Sequence, residues 1–242
     1  MGFSTTISSL LSAVHGFMDN AYLKRDPWIK SGPAGSVKVT HHSGKLCASN
    51  LEGLQLTGAV NLRDPDDPTI LKEGFKETAA RVMNDKILCL KIAAHAGKIL
   101  DLYRDLIGVL GDEVQVVLES SHAADDEHDN FYALTDKAAL ESAICGFEDL
   151  LLNDSNTGIS VFAINEDVDP REVKLSGKKV IFVYGYNLAP YRNILESYGI
   201  KEDPDMTFID QFPDEELDTY SRTQHFDQVE QLKSELNLQN TQ

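Results

Sequence analysis

The amino-acid sequence predicts an α+β (mixed α/β) fold, and three observations carry the prediction. Short apolar runs at Val114–Leu118, Ile159–Ile164 and Val180–Tyr184 read as strands. Between and around them, apolar residues recur at helical spacing. Turn-forming clusters such as Asn156-Thr157-Gly158 and Ser176-Gly177 separate the two patterns.

Taken in order, the first element is an amphipathic helix carrying Phe3, Ile7, Leu10, Leu11, Val14, Phe17, Met18 and Tyr22, with Ser4 or Thr5 as its cap. Asp26-Pro27 and Ser31-Gly32-Pro33 break the chain. From Ser36 to Leu62, the pieces Val37–Val39, Lys45–Cys47 and Leu54–Leu56 predict a small antiparallel meander. Residues 69–110 read as mostly helical, with Ile70, Leu71, Phe75 and Ala79 on one face and Ile99, Leu102, Tyr103 and Leu106 on another. Within them Ile87–Ile92 fits a strand or a buried helix equally well, because so short an apolar run has no diagnostic period.

The second half predicts a βαβββα order and hence a mixed sheet with packed helices. The helix after the first strand starts near Thr135, and Val173 and Leu175 mark the third strand. The last helix runs from about Leu188 to Tyr198 and stops at Gly199. A right-handed crossover makes strands one and two parallel. On that reading the loops after Leu118, Ile164 and Tyr184 share the edge of the sheet where ligands bind in open α/β folds.

The organisation expected is a helical and meander part over 1–110, a βαβββα unit over 111–200 and a tail over 201–242, with one shared core as the alternative. The tail joins an acidic stretch, Glu202 to Asp218, to a helix bearing Phe226, Val229, Leu232 and Leu236.

Charge narrows the function classes. There are 22 basic and 39 acidic residues, a net charge of −17. Such a surface repels phosphate backbones and anionic lipid, which disfavours nucleic-acid and membrane binding and favours a basic partner. Cys47, Cys89 and Cys145 are odd in number and widely spaced, so a reducing cytoplasm is the expected setting. The N-terminus lacks a basic region followed by a continuous apolar run, so no signal peptide is expected.

The densest chemistry lies at the end of the first of these strands, in Ser121-His122-Ala123-Ala124-Asp125-Asp126-Glu127-His128-Asp129-Asn130. His122, Asp125, Asp126, His128 and Asp129 form a candidate ligand set for a divalent metal, since imidazole and carboxylate suit zinc, iron, manganese or nickel. The His-x5-His spacing is neither HExxH nor the i, i+4 pair of a helix. His128-Asp129 resembles the ligand dipeptide of metal-dependent phosphohydrolases, without the further ligands that family carries. The same imidazoles beside carboxylates also suit proton transfer or a pH-sensitive contact. The competing reading is a solvated acidic turn.

Tyr184-Gly185-Tyr186-Asn187 closes the last apolar strand, so Tyr184, Tyr186 and Asn187 are expected to line a pocket with His122, His128 and Asp129. His41-His42 point to opposite faces of an extended chain and make poor joint ligands. Ala94-His95-Ala96-Gly97-Lys98 lacks the rest of a phosphate loop. No glycine elbow accompanies Ser120 or Ser121.

These features point first to a non-enzymatic cytoplasmic binding or regulatory protein, using its acidic face or terminal helices on a protein partner or a second copy. A metal-dependent hydrolase built on the His122–Asp129 loop is the alternative. An acidic mimic of nucleic acid comes last, because the acids are dispersed and form no regular rows.

Overall fold

A computed structural model describes residues 53–63, 71–82, 85–122, 129–163 and 171–240. The chain divides into two units. The larger comprises Leu51–Thr78 and Leu88–Gln242. The smaller comprises Met1–Asn50 and Ala79–Ile87, and only 79–82 and 85–87 of it are among the described residues. The expected N-terminal helix, the strands at Val37–Val39 and Lys45–Cys47, and His41-His42 lie outside the described residues.

The fold is α+β. Its strands are β1 (Val60–Leu62), β2 (Gly74–Val82), β3 (Asp85–Ala93), β4 (Glu113–Ser120), β5 (Asp129–Asp136), β6 (Thr157–Ala163), β7 (Glu172–Leu175), β8 (Ile181–Gly185), β9 (Leu217–Thr219) and β10 (Gln239–Asn240). The helices are α1 (Ile99–Ile107), α2 (Lys137–Gly146), α3 (Glu148–Asn153), α4 (Ala189–Ser197) and α5 (Thr223–Glu235). Eight strands form one sheet in the order β10-β5-β4-β6-β7-β8-β3-β2, and β1 and β9 form a separate ribbon.

The sheet corrects the topology expected from sequence. Residues 129–136, read as loop and helix start, form β5, which pairs antiparallel with β4 from Glu113↔Asp136 to Ser120↔Asp129. This added strand reverses the chain, so β6 runs antiparallel to β4, with Ser120 opposite Thr157. β7 and β8 continue antiparallel. The ends of β6 and β8 therefore lie at the opposite edge from the end of β4. Within 69–110, expected to be mostly helical with Ile87–Ile92 open between strand and helix, Gly74–Val82 and Asp85–Ala93 are β2 and β3. Among the described residues of 69–110, only Ile99–Ile107 is α-helix. Leu54–Leu56 is not a strand, and the nearby β1 takes its partner from β9, more than 150 residues on.

The packing follows from strand alternation. Val114, Val116 and Leu118 of β4, Ile159 and Val161 of β6, and Val173 and Leu175 of β7 face one side. They form a single core with Leu102, Tyr103 and Leu106 of α1, Leu140 and Ile144 of α2, Leu150 and Leu151 of α3, Tyr191 and Leu195 of α4, and Val229 and Leu232 of α5. The Tyr103 hydroxyl spends its proton on the carbonyl of Ile159, 3.1 Å away. Alternate residues carry a buried polar strip on the other face, where Lys174 grips both oxygens of Glu119 at 2.7 Å and Ser160 donates to Glu172 at 3.1 Å.

Local signals explain the helix ends. The Asp136 carboxylate accepts the Ala139 N–H at 2.8 Å and caps α2. Pro190 sits in the first turn of α4, where no donor is lost, and Gly199 takes a left-handed φ of 72° just beyond its end. No helix among the described residues is long and apolar enough to cross a membrane.

Candidate functional site

The edge of the sheet at the end of β4 gathers histidines and aspartates from four parts of the chain. His122 follows β4, Asp154 follows α3, Thr157 opens β6 and His225 lies in the first turn of α5. Asp154 is the hub and is fully buried. Its Oδ2 accepts the Thr157 hydroxyl and stands 2.7 Å from His122 Nε2. Its Oδ1 lies 3.4 Å from His225 Nδ1. Burial by itself would raise the Asp154 pKa, but hydrogen bonds from His122, Ser221 and Thr157, with the charge of His122, outweigh it and bring the group down to about 2. Asp154 is therefore a fixed carboxylate at any physiological pH.

His225 is also fully buried, and it joins two acids. Its Nδ1 accepts the Arg222 backbone N–H at 3.2 Å, closing the start of α5, while Nε2 stands 3.4 Å from Asp149 Oδ2. His225 Nε2 and Asp154 Oδ1 have no hydrogen-bond partner of good geometry among the described residues. Asp149 is held below the usual carboxylate range by the Asn153 amide at 2.8 Å, against the upward push of burial, with help from Arg222 and His225. Asn153 in turn accepts the Gly58 N–H at 3.0 Å. The cluster thus ties α3, β4, β6, α5 and the segment before β1 into one joint.

That joint anchors an acidic ribbon. Arg63 N–H donates to Glu216 O at 2.9 Å, Tyr220 N–H to Ala59 O and Ser155 N–H to Tyr220 O, both at 2.8 Å. Leu217 is buried beside Val60, Phe208 and Ile209, whereas Asp214, Glu215, Glu216 and Asp218 face solvent. Two large aromatics stand exposed next to the ribbon, Tyr220 at 43% and Phe226 at 48%. Phe226 meets the His122 ring edge-on with centroids 6.3 Å apart, and Arg222 lies over Tyr220 at 5.9 Å.

The residues singled out from sequence are divided by this geometry. His122 belongs to the joint. Asp129 opens β5 opposite Ser120, while Asp125, Asp126 and His128 lie outside the described residues. Tyr184 is buried, stacks on Phe182 and pairs with Glu172. Following the register through Phe162 places it level with Gln115, at the start of β4. Five residues of strand, roughly 17 Å, separate that level from Ser120. Tyr186 is exposed and Asn187 accepts the Ala189 N–H at 3.1 Å to start α4. The structure therefore does not bring Tyr184, Tyr186 and Asn187 to His122. His95 accepts the Gln55 N–H at 3.0 Å and Lys98 pairs with Glu73 at 2.8 Å, which is stitching. Among the described residues no group of three or more His, Cys, Asp or Glu is placed to hold a metal.

Sequence reasoning missed Asp149, Asp154, Thr157, Ser221 and His225. Asp154 sat in Asn153-Asp154-Ser155-Asn156, where turn chemistry hid it, and His225 carried no local signal. Comparison with protein-family models, with curated proteins and with solved structures finds no significant match to this chain.

Proposed function

We propose that the protein is a non-enzymatic binding or regulatory protein of the cytoplasm that presents its acidic ribbon to a basic protein partner. One observation carries the reading. The acids Asp214, Glu215, Glu216 and Asp218 are fixed in space by a buried anchor and three backbone hydrogen bonds, where a solvated tail would leave them free. Preorganised charge lowers the ordering cost of binding and steers a cationic partner. The neighbouring Tyr220, Arg222 and Phe226 are of the residue types that dominate contact energies at protein interfaces.

The test is the affinity of an Arg- and Lys-rich probe peptide, measured by fluorescence anisotropy. The ribbon variant D214N/E215Q/E216Q/D218N is compared with the charge-matched control D101N/D112N/E113Q/E196Q. The reading expects the ribbon variant to weaken binding by roughly tenfold or more, and the control to change it by less than about twofold. Equal losses would reduce the effect to net charge and end the proposal.

A second reading, metal-dependent hydrolysis, has one observation in its favour. Asp154 holds Nε2 of His122 as an outer carboxylate holds a ligating imidazole. Calorimetric titration with zinc and manganese separates the two, since tight binding that is lost in His122→Ala supports a metal site.

A further inference from the structure

The start of α5 is closed by a histidine. Arg222 N–H donates to His225 Nδ1 at 3.2 Å, and His225 N–H donates back to the Arg222 carbonyl at 2.9 Å. In a capping box the side chain three residues into the helix bonds the N–H of the cap residue, and glutamate or glutamine usually fills that place. Glutamine holds the amide at every pH. An imidazole holds it only while Nδ1 keeps its lone pair.

Occupying Nδ1 fixes the rest of the ring. The neutral imidazole carries its proton on Nε2, which faces Asp149 Oδ2 at 3.4 Å. Nδ1 also stands 3.4 Å from Asp154 Oδ1, and there a ring lone pair meets a carboxylate lone pair with no proton between them. Asp154 Oδ1 has no hydrogen-bond partner among the described residues, although Asp154 is fully buried. A second proton on the ring repairs this contact, because both nitrogens then donate, one toward each acid. The Arg222 N–H loses its acceptor in the same step.

The charges around the ring set the balance. Asp149 comes from α3 and Asp154 from the turn after it, and both are held below the usual carboxylate range. Positive charge comes from the Arg222 guanidinium, 3.9 Å from Asp149 Oδ2, and from His122 on the far oxygen of Asp154 when it is protonated. Lys179, with its Nζ on the Thr157 carbonyl at 2.9 Å, also feels Asp154, and burial brings it down to about 7. Glu148 of α3 and Asp227 and Glu230 of α5 are exposed. Among the described residues the ring's own ion-pair contacts are both with carboxylates, so an imidazolium is paired on both sides.

We propose that His225 is a proton-operated latch at the start of α5: the neutral ring holds the Arg222 amide, and the imidazolium releases it in favour of Asp154. Two residues upstream, Tyr220 carries the hydrogen bonds just past β9, its N–H on Ala59 O and its carbonyl taking Ser155 N–H, both at 2.8 Å. Release of Arg222 therefore loosens the ribbon at this end as pH falls through the range in which histidine titrates. The consequence for binding rests on the ribbon reading above: acid weakens the hold on a basic partner.

The experiment follows the full chain by amide and imidazole nitrogen NMR from about pH 8 to about pH 5.5. The His225 ring is expected to start with its proton on Nε2 and to gain the second across the titration. The Arg222 amide should move with the same midpoint and lose about fivefold in exchange protection, the worth of one hydrogen bond. In His225→Gln the side-chain carbonyl holds the amide without titrating, so that amide should be indifferent to pH. A ring proton found on Nδ1 at the start, a ring that stays neutral to the end, or a titration that leaves the Arg222 amide unmoved would overturn the latch. The wild type alone decides this should the variant not fold. Anisotropy with the Arg- and Lys-rich peptide reads the consequence separately, and the wild type should lose more affinity toward acid than His225→Gln. Equal losses would cut the latch from the ribbon, whereas a peptide that binds at no pH ends the ribbon reading and leaves the latch to the amide.

Discussion

His225 Nδ1 and Asp154 Oδ1 lie 3.4 Å apart with both residues fully buried, and this contact joins the C-terminal helix to the edge of the main sheet. The carboxylate comes from the turn before β6 and the imidazole from α5.

Asp154→Ala removes the acceptor shared by His122 and Thr157, and with it the carboxylate beside His225. Truncating one member of a buried charged network costs about 3–5 kcal/mol, because its partners stay buried and unpaired. Asp154→Asn keeps the volume and one acceptor oxygen, so it should cost less. Urea unfolding of the two variants beside the wild type checks the order.

Acid sensitivity follows from the same group. The folded pKa of Asp154 is depressed, so its stabilisation is present above the unfolded value and is lost as pH falls from about 4 through about 2. A shift of that size is worth about 2 kcal/mol at neutral pH. Stability measured between pH 5 and pH 2 should fall less steeply for Asp154→Asn than for the wild type.

Lys179 should act in the opposite pH range. Its folded pKa lies below the unfolded one, so between about 7 and about 10 the unfolded chain binds more protons. Stability therefore rises with pH across that window, and Lys179→Met should flatten the rise.

Leu217 is the apolar anchor of the ribbon. Leu217→Ala should cost about 2–5 kcal/mol, as large-to-small changes in packed sites do. Hydrogen exchange offers the sharper view. The Tyr220 amide, bonded to Ala59 O, should lose protection in that variant before the amides of β4 do.

Elements with a strong local signature were legible in the sequence. α4 announces itself through Pro190 and Gly199, and β4, β6 and β8 are short runs rich in apolar residues. β5 was hidden because Asn130-Phe131-Tyr132-Ala133-Leu134 follows an acidic stretch and, of the whole strand, only Phe131 is buried. That single omission inverted the direction of every later strand. His122 was found because a strand end places it, whereas its partner Asp154 lies 32 residues downstream and the pairing exists only in the folded chain. The ribbon was invisible for the same reason, since β1 and β9 pair across most of the sequence.

The most direct measurement is a two-dimensional amide NMR titration of the full chain with the Arg- and Lys-rich peptide. The account predicts shifts concentrated on Asp214–Phe226 and on Ala59 and Val60 behind the ribbon. Shifts spread evenly over the acidic surface, or centred on residues outside that patch, would contradict it.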